Sequence, residues 1–115
     1  MNRLDSSCRV PRSALACAVI LYAVAAPVPA ADKPVTHTVI IKATSYSPAA
    51  LTVKRGDTVV WRNEDPFPHT ASAAQGFDSK SIAAGGSWKF IARTAGDYPY
   101  TCTFHPNMKA TLRVE

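Results

Sequence analysis

The chain has 115 residues, 47% of them apolar and 18% charged, and its 13 Lys and Arg against 8 Asp and Glu give a formal net charge of +5. The cations are scattered, with Lys54-Arg55 their one adjacent pair, so the clustered basic stripe of a nucleic-acid-binding surface is missing and no nucleic-acid partner is expected. A chain of this length holds one small domain.

The first thirty residues do not read as part of that domain. Arg3, Arg9 and Arg12 form a positive opening, Ala14–Ala26 is a run of thirteen apolar residues, and Val28-Pro29-Ala30 ends it with small residues. This order is that of a secretory signal peptide, with cleavage expected between Ala30 and Ala31 and a domain spanning 31–115. Thirteen apolar residues fall short of the ~20 that cross a bilayer, so no membrane attachment is expected after cleavage. A lipoprotein reading at Cys17 fails for want of an apolar run before it, and there is no twin-Arg pair. The expected location is the periplasm.

Cleavage removes Cys8 and Cys17 and leaves Cys102 alone among residues 31–115. In a compartment that favours disulfides, a single thiol is a reactive group, an intermolecular bridge or a metal ligand. The same 85 residues carry ten Lys and Arg against seven Asp and Glu, or +3, a solvated surface able to steer an acidic protein partner.

From Val35 onward the pattern is short strands between turn residues, with no helical run. Val35, His37, Val39 and Ile41 share a face of the first strand. Tyr46-Ser47-Pro48 reads as an irregular or edge segment, because proline cannot donate to a central ladder. Leu51–Lys54 is β-prone, and Arg55-Gly56-Asp57 turns into Thr58–Arg62, where Val59 and Trp61 point the same way. Asn63–Pro68 is expected to be a loop held by Pro66 and Pro68. A short strand is expected over Thr70–Ala73, a turn at Gln75-Gly76 and a hairpin-like connection at Ala84-Gly85-Gly86. Trp88, Phe90 and Ala92 then alternate inward, as do Tyr98, Tyr100 and Cys102, and finally Ala110, Leu112 and Val114. Seven or eight short strands at this spacing predict an all-β fold, an antiparallel β-sandwich.

Cys102, His105 and Met108 lie within seven residues, read as a loop between the last two strands, and His69 comes from a second loop. One thiolate, two imidazoles and a thioether suit few ions. A trigonal His₂Cys group with a weak axial Met is the blue-copper electron-transfer arrangement. Zinc sites use His, Cys and carboxylate, and leave Met108 unexplained. A Cys/His hydrolase would need an oxyanion hole, and none is legible. Singly, Met108 reads as core filling, Cys102 as a buried thiol, and the two histidines as surface residues; together they read as one site. His37, on the apolar face of an early strand, reads as a structural histidine. Four protein ligands leave no open position for a substrate, so no enzymatic activity is expected.

The stretches Gly56-Asp57-Thr58-Val59-Val60-Trp61-Arg62-Asn63, Pro68-His69, Ala95-Gly96-Asp97-Tyr98-Pro99-Tyr100-Thr101-Cys102 and His105-Pro106-Asn107-Met108 resemble the cupredoxins, with the short Cys-x₂-His-x₂-Met loop of the amicyanin branch. The resemblance implies a Greek-key sandwich and a monomeric periplasmic carrier of single electrons. It also implies one copper ion held by His69, Cys102 and His105 with Met108 axial, and partners such as a c-type cytochrome or a periplasmic dehydrogenase. It places His105 at an apolar docking face with Phe67, Pro68, Pro106 and Met108. The alternative within the same resemblance is a copper-delivery module, against which stands the lack of any other methionine in 31–115. Two residues depart from the pattern. Thr70 replaces an Asn that in many members stitches the two ligand loops, a task expected to pass in part to its hydroxyl. Phe104 replaces a proline and brings an N–H, expected to donate to the Cys102 sulfur and raise the reduction potential.

Overall fold

The computed structural model describes residues 18–25 and 32–115. Most of the expected signal peptide therefore lies outside the described residues; residues 18–25 hold neither helix nor strand. All β-structure among the described residues lies in the unit Ala31–Glu115. Among the described residues no helix is long and apolar enough to cross a membrane.

Among the described residues eight strands form: β1 Thr36–Lys42, β2 Ser45–Ser47, β3 Ala50–Val53, β4 Thr58–Asn63, β5 Ser72–Ala73, β6 Ser87–Ile91, β7 Gly96–Cys102 and β8 His105–Val114. They make two four-stranded sheets, ordered β2-β1-β4-β6 and β3-β8-β7-β5. The expected all-β sandwich is present, but its sheets are mixed rather than purely antiparallel. β1 runs parallel to β4 and β3 parallel to β8, because the chain leaves one sheet for the other between the two members of each pair. The expected strand at Thr70–Ala73 shrinks to two residues.

The alternation that predicted these strands sorts their side chains. Val39, Ile41, Val59, Trp61, Tyr100, Cys102, Ala110, Leu112 and Val114 are all buried between the sheets. Trp61 is the hub: Phe77, Trp88 and Tyr100 lie 5.2, 5.5 and 5.5 Å from it between ring centroids, and Tyr46 meets Tyr100 edge-on at 4.7 Å. Such pairs add about 0.5–1.5 kcal/mol each beyond the area they bury. Gly76 is fixed by two constraints. Its φ of +96° disfavours any side chain, and a Cβ there would stand 2.5 Å from the Tyr98 ring.

The turn from β1 to β2 has only two central residues, Ala43 and Thr44, both left-handed at φ 51° and 58°. That is the hairpin geometry usually given to Asn-Gly. Here a distant carboxylate compensates: Asp65 accepts both turn amides, at 2.7 and 3.0 Å.

Asp57, just before β4, closes the other end of that strand. It accepts from the Val35 amide, the Lys54 amide and the His37 ring at 2.9, 3.0 and 2.9 Å, so His37 is a structural histidine. The Val35 amide foremost, then the His37 ring and the Lys54 amide, pull the Asp57 carboxyl down to about 2. A depressed carboxylate stabilises the fold above its unfolded value near 4 and loses that contribution as pH falls toward 2. In the metal-free protein, the urea midpoint is expected to fall less between pH 4 and pH 2 in Asp57→Asn than in the wild type. Equal falls would show that Asp57 carries no such linkage.

Candidate metal centre

Both parallel-paired strands β1 and β4 end toward the same edge of the fold, where the chain makes the turn at Ala43-Thr44 and the loop from Glu64 to His69. The β7–β8 hairpin brings its own end there. The segment expected to be a ligand loop is in fact a tight turn: only Thr103 and Phe104 separate the strands, and Cys102 pairs with His105 across it. His105 and Met108 therefore belong to the start of β8. The ladder shifts register between Thr101 and Cys102, which lets Cys102 and His105 converge instead of alternating away from each other.

Three of the four predicted residues meet. Nδ1 of His69 and Nδ1 of His105 each lie 3.7 Å from Cys102 Sγ. One ligand atom from each of the three residues falls within 4.8 Å of the others, the only such cluster of three or more His, Cys, Asp or Glu among the described residues. A sulfur about 2.3 Å and a nitrogen about 2.0 Å from a shared ion, set at tetrahedral to trigonal angles, stand about 3.5–3.8 Å apart. Both sulfur–nitrogen edges thus hold the spacing of a shared metal ion. Met108 is buried on the inner face of β8 and lines a shallow depression with His105 and Phe104. A thiol, two imidazoles and a neighbouring thioether make a candidate type 1 copper site, and no carboxylate intrudes on the triangle.

Two of the ligands, His69 and Cys102, have partners that orient them. His69 is fully buried, and its Nε2 lies 2.7 Å from Asp65 Oδ2. The Thr44 amide above all, helped by the His69 ring and the Ala43 amide, holds the Asp65 carboxyl below the usual carboxylate range despite its burial. An ionised carboxylate only accepts, so the ring proton sits on Nε2 and the Nδ1 lone pair faces the sulfur. Asn63, also fully buried, ties down the loop between them. Its Nδ2 donates to the carbonyls of Phe67, Ile82 and Ala83 at 2.9, 3.0 and 3.3 Å, and its Oδ1 accepts the Asp65 amide at 3.0 Å. His69 also exchanges two backbone bonds with Ile82.

The sulfur has a donor of its own, and it is not the expected one. The amide aimed at Cys102 Sγ belongs to Thr70, at 3.3 Å; no such bond from Phe104 forms among the described residues. Thr70 is locked by the buried Tyr46, whose hydroxyl donates to its carbonyl. Burial pushes that hydroxyl well above its ordinary pKa, so it remains a donor. Phe104 instead presents a half-exposed ring beside His105. The Thr70 hydroxyl does what was expected of it and accepts the Thr103 amide at 2.9 Å.

At the surface, His105 is partly exposed while His69 is sealed. Phe67, 41% exposed, lies 5.1 Å from the His69 ring and 5.9 Å from that of His105, whose rings are 5.0 Å apart. An apolar rim of Phe67, Phe104 and Pro106 thus lies beside His105, the imidazole of the site that reaches solvent. Asp65, Asn63 and Tyr46 did not emerge from the sequence as parts of the site; the signal for Asp65 was an acid four residues before a ligand histidine.

The cupredoxin-like domain family model matches residues 13–114. Amicyanin of Paracoccus versutus is 32% identical over 96 residues, covering 77% of this chain and 73% of that protein. Plastocyanin of Scenedesmus fuscus is 31% identical over 84 residues, covering 61% of this chain and 86% of that protein. A solved structure of a methionine-to-alanine amicyanin variant in the Cu(I) form matches with a TM-score of 0.66 at 29% identity. That match covers 70% of this chain and 82% of the amicyanin.

Proposed function

We propose that this chain, which belongs to the cupredoxin-like family of blue copper electron carriers, passes single electrons between redox proteins of the periplasm. The observation that carries this reading is the cluster of Cys102 Sγ with two imidazole Nδ1 atoms at 3.7 Å, with the buried Met108 lining a depression beside His105. His69, Cys102 and His105 would hold the ion, with Met108 as the weak fourth donor. When bound, copper supplies the one-electron Cu(I)/Cu(II) couple; no bond to a substrate is made or broken.

The protein's part is to hold the donors still. Asp65 fixes the His69 ring, Thr70 donates to the sulfur, and the buried placement of His69 and Cys102 excludes water. A donor set braced in this way changes little between oxidation states, which keeps the barrier to transfer low. His105, ringed by Phe67, Phe104 and Pro106, is the exit for the electron and the face that docks a partner. A c-type cytochrome or a periplasmic dehydrogenase fits that role. Export to the periplasm rests on residues 1–30 acting as a signal peptide that is removed to leave 31–115. With four protein donors and no open position, the site is a carrier and not an enzyme.

Protein-film voltammetry of the copper-loaded protein tests this. One reversible one-electron wave, stable over repeated cycles, is expected. Absence of a wave, together with transfer of Cu(I) to a metal-free acceptor, would make the protein a copper-delivery module instead.

A further inference from the structure

β6 is the outer strand of its sheet, with β4 on one side and no strand on the other. The Ala92 amide donates to the Asp57 carbonyl at 2.8 Å, so the antiparallel ladder carries a hydrogen-bonded pair just beyond Thr58–Ile91. Bonded and non-bonded pairs alternate along such a ladder, which turns the backbone of Phe90 and Trp88 toward β4. The amides and carbonyls of Lys89 and Ile91 face away from the sheet and have no backbone partner among the described residues. They form the unfilled side of a β-ladder.

A groove of about 440 Å³ follows this edge, lined by Lys89, Phe90, Ile91 and Arg93 from β6 and its end, and by Gly76 and Tyr98. Its floor is apolar and braced. Phe90 and Tyr98 both pack on the buried Phe77, at 4.9 and 6.2 Å between ring centroids. The Tyr98 hydroxyl is committed to the Thr94 carbonyl at 2.7 Å, which leaves the ring as the surface on offer.

The charge along the groove has one sign. Each of the seven acids in 32–115 has a cation or an imidazole within 4.0 Å. Lys89 and Arg93, both exposed, form no ion pair among the described residues, and no acid lines the groove. A single lysine is what an edge strand carries to stay unpaired. A second cation and an apolar floor beside it match something more definite: an extended segment whose side chains alternate acidic and apolar. A second copy of this chain fits badly, because pairing β6 with itself would bring four like charges to one seam.

We propose that the β6 edge is a docking site for an extended acidic segment of a partner protein. The segment adds a strand beside β6, sets its carboxylates against Lys89 and Arg93, and lays apolar side chains on Phe90 and Tyr98. Ile91 pairs with Thr58 at the start of β4, whereas β4 ends at Asn63, toward the metal centre. A segment bound along this edge leaves His105 uncovered, so one partner holds the protein while that imidazole meets another.

A short peptide alternating glutamate and valine is the probe, and hydrogen exchange of the metal-free protein, followed by NMR, is the readout. With peptide at about ten times its Kd, the Lys89 and Ile91 amides are expected to exchange about tenfold more slowly. The Phe90 amide, turned to β4, is slow with or without peptide and serves as reference. Lys89→Glu combined with Arg93→Glu is expected to weaken binding of this peptide at least about tenfold and to create binding of its lysine–valine counterpart. That gain cannot come from a misfolded variant. No protection of Lys89 and Ile91 at about 1 mM peptide, or undiminished binding by the double variant, would overturn the proposal. Protection of the two amides that rises with protein concentration, without peptide, would also overturn it by giving the edge to a second copy.

Discussion

Asp65→Asn is expected to weaken copper binding by about 10- to 100-fold, the usual cost of losing the group that orients a ligating histidine. In the wild type Asp65 Oδ2 takes the Nε2 proton of His69 at 2.7 Å and the Thr44 amide at 3.0 Å, while Oδ1 takes the Ala43 amide. An asparagine offers one oxygen and one NH₂. If the oxygen stays with the Ala43 amide, the NH₂ faces both the Thr44 amide and Nε2 and can only donate to Nε2, which moves the ring proton to Nδ1. That nitrogen faces Cys102 Sγ, so the variant must shed a proton before His69 can bind metal. If the amide flips, the NH₂ meets a turn N–H instead, and the left-handed pair Ala43-Thr44 loses an acceptor. Either outcome lowers affinity. Competition against a chelator measures the loss, and ¹⁵N shifts of the His69 ring in the metal-free protein report the tautomer. Wild-type affinity with an unchanged tautomer would show that Asp65 does not orient the ligand.

Asn63→Ala is expected to lower the stability of the metal-free protein by about 3 kcal/mol. Four bonds are lost, but they do not count equally. The Ile82 carbonyl still accepts from His69 N and the Ala83 carbonyl from Gly86 N. The Phe67 carbonyl and the Asp65 amide keep no other partner among the described residues. Two groups stranded without partners, at about 1–3 kcal/mol each if buried, set the size of the effect, and the small cavity adds to it. Urea unfolding checks the value. A loss under about 1 kcal/mol would mean that water takes over both bonds and the loop is not held by Asn63.

Much of this arrangement was legible in the chain itself, and the limits have physical causes. Tyr98, Tyr100 and Cys102 were assigned to one face because side chains alternate along a strand, and that alternation is what delivers Cys102 to the buried end of β7. The spacing Cys102, His105, Met108 named the donor set because its chemistry is rare, whatever backbone carries it. The backbone was misjudged. Thr103-Phe104 and Ala43-Thr44 are two-residue turns without the Asn or Gly that usually marks them, so one hairpin read as a loop. The parallel pairings of β1 with β4 and β3 with β8 leave no trace in alternation, since a strand buried on one face shows the same pattern beside either kind of neighbour. Asp65 and Asn63 sat in a proline-rich stretch read as a loop, where no periodicity points to a partner. Phe104 was assigned a role by the absence of a proline ring, but the sulfur's donor comes from the opposite loop, set by Thr70 and Tyr46.

Electron transfer by this protein requires Cys102 to act as a thiolate ligand to copper between two imidazoles. The most direct measurement is to add Cu(II) to the purified protein and record its visible and EPR spectra beside those of Cys102→Ser. The prediction is an intense thiolate-to-copper band and a narrow hyperfine splitting at one copper per chain, both absent from the serine variant. A wild-type protein that stays colourless, or a serine variant with the same spectrum, would contradict it.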